Sequence, residues 1–263
     1  MNNSSQGTKE WSSESVNFIS GCKNDCKYCY SRATAIYNKR KTQEDWKEEI
    51  VKPSKLNKGW RLRKDGRIML ASSHDITPQH LPEAIHFLKN ILTPGNHVLI
   101  VSKPHLECIK AICDKFVDYK EKILFRFTIG SSDNATLKFW EPGAPSFLER
   151  VSSLKYAYDA GYCTSISCEP MLDDKIDLVI EAVRSYVTHS IWLGKMTKMK
   201  WRLEMNTEIT EELKKKANQL YAWQSDDEIR ALYQRYKNDP LIRWKGEIKT
   251  IVGIPIGATG ADE

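Results

Sequence analysis

No stretch of about eighteen apolar residues occurs in the chain, so no membrane-spanning helix is expected. The opening MNNSSQGTKE has no apolar core of a leader peptide, which makes the cytoplasm the expected compartment. Glycine and proline are sparse, 13 and 10 of 263 residues, and this excludes collagen-like and low-complexity chains. Charge is not one-sided either. Forty basic against 34 acidic residues leave +6, too mild by itself to indicate nucleic acid. Internal repeats are absent. What remains, 41% apolar and 10% aromatic, is enough to bury one core, and the length suits one α/β barrel domain.

Apolar runs alternate with helical patterns. Expected strands are Ser15–Ser20, Arg67–Ala71, His97–Ser102, Ile123–Ile129, Cys163–Cys168 and His189–Leu193. Expected helices between them are Cys29–Tyr37, Pro82–Leu92, Leu106–Phe116, Ser146–Ala160 and Lys175–Tyr186. Such alternation predicts βαβ units and a parallel sheet. Six units make a partial (β/α)6 barrel, whose chemistry belongs at the C-terminal strand ends. Residues 1–14 read as a polar tail and 15–194 as the barrel. Residues 39–67 are a basic insertion, with eleven Lys/Arg, five Asp/Glu, Trp46 and Trp60. Residues 195–263 read as a C-terminal helical cap, with helices near Glu208–Tyr221 and Asp226–Lys237 and a strand-like run at Ile248–Ile251.

Seven cysteines is an odd number, and three of them crowd together in Gly21-Cys22-Lys-Asn-Asp-Cys26-Lys-Tyr28-Cys29-Tyr30. In a cytosolic chain, clustered cysteines point to metal or redox chemistry rather than a disulfide framework. The spacing C-x3-C-x2-C follows directly after the first strand. Three thiolates on a short loop can hold three corners of a [4Fe–4S] cubane and leave one iron open to a ligand. A structural zinc site would want a fourth ligand, and no Cys or His follows Cys29 within forty residues. Inert packing is the other reading, but buried inert cysteines rarely crowd at this spacing. Cys108 and Cys113, five apart on a helix, are expected to pack, and Cys163 and Cys168 to face opposite sides of a strand.

The cysteine spacing, with an aromatic before the last cysteine, resembles the radical S-adenosylmethionine (SAM) superfamily. Within it the chain looks most like the spore photoproduct lyase group. The resemblance rests on Ala71-Ser72-Ser73-His74-Asp75-Ile76, Val101-Ser102-Lys103 and Arg126-Phe127-Thr128-Ile129. It continues through Phe139-Trp140-Glu141-Pro142-Gly143 with Phe147, Glu149 and Arg150, and through Ala160-Gly161-Tyr162. It covers roughly residues 15–195.

The resemblance implies a [4Fe–4S] cluster on Cys22, Cys26 and Cys29, and SAM chelated to the open iron. One-electron cleavage of SAM would give a 5′-deoxyadenosyl radical that abstracts a substrate hydrogen. It also implies a reductant such as flavodoxin or ferredoxin. By the same resemblance Lys103 would meet the SAM carboxylate, and Tyr28 would lie beside the adenine. Thr128, Ser72, Ser73 and His74 match positions at or beside SAM contacts, and the strand cation Arg126 would face a SAM carboxylate or an ion pair. The lyases' hydrogen-donating cysteine corresponds to Ser72, whose O–H bond is too strong for that task. Cys168 at the end of the fifth strand is the alternative donor, and a packed strand residue is its plain reading. Glu169 replaces an apolar residue of the lyases and would meet SAM, substrate or a barrel cation.

Lys195–Arg202 (KMTKMKWR) holds four basic residues, no acid, and Trp201. With residues 39–67 it makes a basic, aromatic-interleaved surface of the kind that binds DNA or RNA. A solvated surface is the plain alternative. The rival functions are radical modification of a peptide or small metabolite, and, from another class, a non-catalytic nucleic-acid-binding protein with a structural metal.

Overall fold

The computed structural model describes residues 7–12 and 14–260, so the first six residues and Ser13 of the expected polar tail lie outside the described residues. Among the described residues nine strands form: β1 (Glu14–Val16), β2 (Ile19–Ser20), β3 (Ile50–Val51), β4 (Arg67–Leu70), β5 (His97–Ser102), β6 (Ile123–Thr128), β7 (Cys163–Cys168), β8 (Ser190–Leu193) and β9 (Ile242–Trp244). The helices are α1 (Tyr30–Tyr37), α2 (Pro53–Leu56), α3 (Leu81–Leu92), α4 (Leu106–Lys115), α5 (Asn134–Trp140), α6 (Phe147–Asp159), α7 (Ile176–Val183), α8 (Met199–Asn206), α9 (Glu211–Trp223), α10 (Asp226–Tyr236) and α11 (Gly246–Val252).

Seven strands pair in the order β1-β4-β5-β6-β7-β8-β9, and every pairing is parallel. Sequential parallel neighbours joined by helices are the partial βα barrel expected. Among the described residues β1 and β9 do not pair, so the sheet has two edges. Five of the six expected strands are present, the expected first strand is represented in the sheet by β1 alone, and β9 adds a seventh from within the section read as a cap.

Alternation along the strands sorts two cores. Outward side chains such as Ile68, Ile100, Phe125, Phe127 and Ile166 pack beneath the helices in the main core. Inward ones, Met69, Leu99, Leu124 and Trp192, form a small inner core together with Trp11. The inner part of the polar tail is therefore packed: Trp11 is buried, its ring 6.0 Å from that of Trp192.

Two expected strands are corrected. Ser15–Ser20 is not one strand. Asn17 accepts the N–H groups of Ser72 and Ser73 on its side-chain oxygen, at 2.9 Å each, and Phe18 turns fully into the core. This breaks the ladder, and β2 pairs instead with β3 of the basic insertion. Ile248–Ile251 is helix, not strand. Its apolar residues fit either period over so short a run, and the Thr250 hydroxyl donates to the Gly246 carbonyl at 2.9 Å, an i−4 bond of helix. Gly253, at φ +76°, ends α11 in the left-handed conformation that favours glycine. Three further helices were not anticipated: the single turn α2 in the basic insertion, α5 before the Glu-Pro-Gly turn, and α8 in the basic Lys195–Arg202 segment.

Candidate functional site

The cysteine loop leaves β2 at Gly21, which has φ +95° and lies so close to the insertion that a Cβ would sit 2.2 Å from the Glu48 carbonyl oxygen. Only glycine fits. The insertion backs the loop further: Cys22 N–H donates to the Trp46 carbonyl at 2.9 Å, and Lys23 N–H to the Glu49 carboxylate at 3.1 Å. From the opposite side the Asn206 side chain of α8 donates to the carbonyls of Lys27 and Cys29, at 2.9 Å each. Cys29 caps α1, its Sγ accepting the Arg32 N–H at 3.3 Å.

The turn after α5 clamps the same loop. Lys27 N–H donates to the Trp140 carbonyl at 2.9 Å, and Gly143 N–H to the Asn24 carbonyl at 3.0 Å. A Cβ on Gly143 would lie 2.1 Å from the Lys23 carbonyl oxygen. Within this turn Glu141 is buried and binds three partners. Its carboxylate pairs with Arg150 at 2.5 Å, accepts the Tyr28 hydroxyl, and lies 3.9 Å from the Lys103 ammonium. Burial opposes the charge of Glu141, but Arg150 and Lys103 outweigh it and hold the carboxyl below its usual range. Burial also opposes the charge of Lys103, and there Cys26, Glu141 and Asp75 prevail and hold the ammonium above the usual lysine range.

Asp75 is a second hub. It accepts Asn24 Nδ2 at 2.8 Å, the Lys103 N–H at 3.0 Å and the Ser102 hydroxyl, tying the ends of β4 and β5 to the cysteine loop. Asp75, Glu141 and Arg150 were read in the sequence only as parts of a resemblance, without a role. Their spacing carries no periodic signal, since each acts through partners far away in the chain.

One cavity of about 600 Å³ joins these parts. It is lined by Cys22, Cys26, Cys29 and Tyr28, by the β4 end Ser72, Ser73 and His74, and by Lys103, Thr128 and Glu169. Of the residues singled out in the sequence, these ten come together at the C-terminal strand ends, where a barrel places its chemistry. Ser167 also lines the cavity, and its buried Oγ finds no hydrogen-bond partner among the described residues. The far wall comes from the C-terminal section: Thr197, Lys198, Arg202 and Glu247. Sequence reading had Lys198 and Arg202 only as part of a basic surface and missed Thr197 and Glu247 as site residues, because nothing in a charged amphipathic segment marks the few positions that turn inward.

Two expectations are corrected. Arg126 is not among the cavity-lining residues. It points into the barrel below it, where Nε donates to the Ser165 hydroxyl at 3.0 Å and the guanidinium lies 4.9 Å from the Trp11 ring centre. Cys168 does not line the cavity either. It is on the outward face of β7, fully buried in the main core, and burial raises its thiol pKa. A hydrogen donor acting at this site must reach the cavity, and Cys168 faces away from it.

His74 lines the cavity but spends both ring nitrogens within the protein, on the Phe18 N–H at 3.3 Å and the Asp75 carbonyl at 3.0 Å. Burial lowers its pKa to about 4, so the imidazole is neutral. Glu169 is 3.3 Å from Lys245, which also pairs with Glu10 at 3.0 Å. Beside them Glu247 is pushed up to about 7, first by burial and then by the charge of Glu169.

Among the described residues no three ligand side chains converge on a single metal ion; the chemistry of the donor set is that of a larger iron–sulfur cubane held at three corners. Three thiols on one loop open into one cavity. Burial raises Cys26 to about 12, and Cys22 well above its usual range, so thiolates there need a bound cation.

A parallel βα sheet with a three-cysteine loop at its strand ends defines a class, and sequence comparison agrees with it. The family model of the Radical SAM superfamily matches residues 16–173. The chain belongs to this superfamily of enzymes, whose members use SAM and a [4Fe–4S] cluster. It is 25% identical over 167 residues to the uncharacterized protein ORF301 of Acidianus two-tailed virus, a match covering 59% of the chain and 55% of the viral protein. The chain thus aligns with about half the length of that relative. Among solved structures it resembles a tyrosine-to-phenylalanine mutant of spore photoproduct lyase, with a TM-score of 0.56 and 16% identity over 92% of this chain and 78% of that one. A cysteine-to-alanine mutant of the lyase with dinucleoside spore photoproduct gives a TM-score of 0.51 and 18% identity, with the same coverage. At these identities the likeness is one of fold. No described helix is long and apolar enough to cross a membrane.

Proposed function

We propose that the protein is a cytoplasmic radical SAM enzyme that starts its reaction by hydrogen abstraction from a nucleic acid. The observation that carries the radical chemistry is the opening of Cys22, Cys26 and Cys29 into the same cavity as Lys103, Thr128 and the β4 end. Cys22, Cys26 and Cys29 would hold a [4Fe–4S] cluster, and that group would supply the one-electron reduction of SAM from which hydrogen-abstracting radical chemistry starts.

The chain's own residues bind and orient. Lys103, held charged by Glu141 and Asp75, offers its ammonium to a carboxylate in the cavity. Thr128 and Ser167 offer hydroxyls to polar groups of the same ligand. Tyr28 presents its ring, with the hydroxyl fixed on Glu141. The Glu141 and Asp75 hubs keep the cysteine loop and Lys103 in one arrangement, so little ordering remains to be done on binding. Seven free cysteines suit a reducing compartment and a soluble reductant such as flavodoxin or ferredoxin.

The substrate reading is supported by the basic 39–67 insertion and the Lys195–Arg202 segment, whose Lys198 and Arg202 line the cavity. A likeness of fold to a lyase solved with a dinucleoside photoproduct is in keeping with it. Anaerobic reconstitution followed by iron and sulfide determination tests the cluster. About four of each per chain are expected for the wild type, and loss of most of both in Cys26→Ala. Full iron content in that variant contradicts the assignment.

A further inference from the structure

The facing surfaces of α1 and α8 carry a row of aromatic rings outside the cysteine loop and its clamps. Tyr30 and Tyr37 lie seven residues apart on α1, two turns, and so share a face. Trp201 of α8 reaches both: its ring centre is 6.2 Å from that of Tyr30 and 6.3 Å from that of Tyr37. The two tyrosines are not covered, and Trp201, which touches both, is half-buried. Tyr30 is 52% exposed and Tyr37 67% exposed. Contiguous exposed aromatics on a soluble protein mark a binding surface more often than scattered single ones do. The row also runs into the cavity, since Tyr30 is one of its lining residues.

Cations flank the row. The Arg202 guanidinium lies 5.4 Å from the Tyr30 ring centre. Lys198 and Lys200 are exposed at the start of α8, and Lys39 and Arg40 are exposed just beyond Tyr37. One acid belongs to the same helix, Glu204, 3.9 Å from Lys200. Rings interleaved with lysines and arginines are what single-stranded nucleic acids recognise: bases stack on the rings, and the cations follow the phosphates. A peptide or a small metabolite would not need this combination.

We infer that Tyr30, Trp201 and Tyr37 form a stacking platform for a single-stranded segment of nucleic acid, leading it to the cavity mouth. This rests on the nucleic-acid reading of the substrate and adds where the strand is held. The test uses the full chain with its cluster, under anaerobic conditions, and a fluorescein-labelled oligothymidylate followed by anisotropy at low and moderate salt. Wild type is expected to bind, more weakly as salt rises. Trp201→Ala and Tyr37→Ala should each weaken binding roughly tenfold, while Trp201→Phe, which keeps a ring, restores most of it. Tyr37 is largely exposed, so its replacement tests the platform even where Trp201→Ala disturbs packing. Salt-dependent binding left unchanged by both alanine variants overturns the platform and leaves the nucleic-acid reading standing. Absence of wild-type binding at low salt overturns both.

Discussion

Removing the Glu141 carboxylate is the perturbation with the largest effect worked from the structure. The side chain is buried against Arg150, itself fully buried, at 2.5 Å, and also holds the Tyr28 hydroxyl and faces Lys103. Glu141→Ala leaves the guanidinium of Arg150 buried with two carbonyl partners, those of Pro145 and Thr128, and no countercharge. Breaking a buried pair from one side costs about 3–5 kcal/mol. At about 2–4 °C per kcal/mol for a chain of this size, the melting temperature should fall by roughly 6–20 °C. Arg150→Met should also destabilise, because it leaves the buried carboxylate with only Tyr28 and Lys103 and takes a donor from both carbonyls. The double variant removes the charges together, so its loss should be smaller than the summed single losses by about 2 kcal/mol or more. Guanidinium denaturation of the four proteins of this cycle, under anaerobic conditions, measures the coupling. Additivity to within about 0.5 kcal/mol, or a melting temperature for Glu141→Ala within about 2 °C of wild type, refutes the reasoning.

Three further outcomes are expected. Lys103→Ala should weaken SAM binding at least about tenfold, as loss of a charge-assisted bond to a carboxylate does; unchanged affinity by calorimetry removes Lys103 from that role. Glu247, raised from 4.5 to about 7, favours the folded state fully below about pH 4.5 and loses that contribution as pH rises through 7, about 3 kcal/mol in all. Melting curves at pH 5 and pH 8 should therefore differ less for Glu247→Gln than for wild type, and parallel profiles argue against the buried acid. Gly143→Ala should push the backbone of Lys23 and Asn24, cost about 1–3 kcal/mol and lower iron retention. Retention equal to wild type would mean that the turn does not clamp the loop.

The barrel rhythm and the cysteine loop were legible in the sequence because both are local. A strand–helix alternation and a C-x3-C-x2-C spacing can be read within about ten residues. The site's supports were not, because each depends on residues far apart in the chain. Asp75 gains its role from Asn24, Ser102 and Lys103, and Glu141 from Tyr28, Lys103 and Arg150. By strand parity Arg126 and Thr128 share a face. Parity does not say that Thr128 reaches the cavity while Arg126 stops one layer lower among Trp11, Trp192 and Ser165. Cys168 stands at a strand end, the right height for chemistry, but on the outward face. Parity was ambiguous at the C-terminus too. Ile248–Ile251 offered apolar residues that fit a strand or a helix, and packing of Ile248 in the main core beside β9 settled it as helix. The far wall of the cavity, with Glu247 and Arg202, was illegible for the same reason: tertiary packing alone decides which charged residues of a polar section face inward.

The central claim is tested most directly by 5′-deoxyadenosine formation. Anaerobically reconstituted, dithionite-reduced protein would be incubated with SAM, beside Cys26→Ala treated identically. The account predicts 5′-deoxyadenosine from the wild type, none above background from the variant, and a higher rate when single-stranded DNA is added. Equal product from both proteins, or none from a wild type that carries its full iron and sulfide and is supplied with DNA, would contradict it.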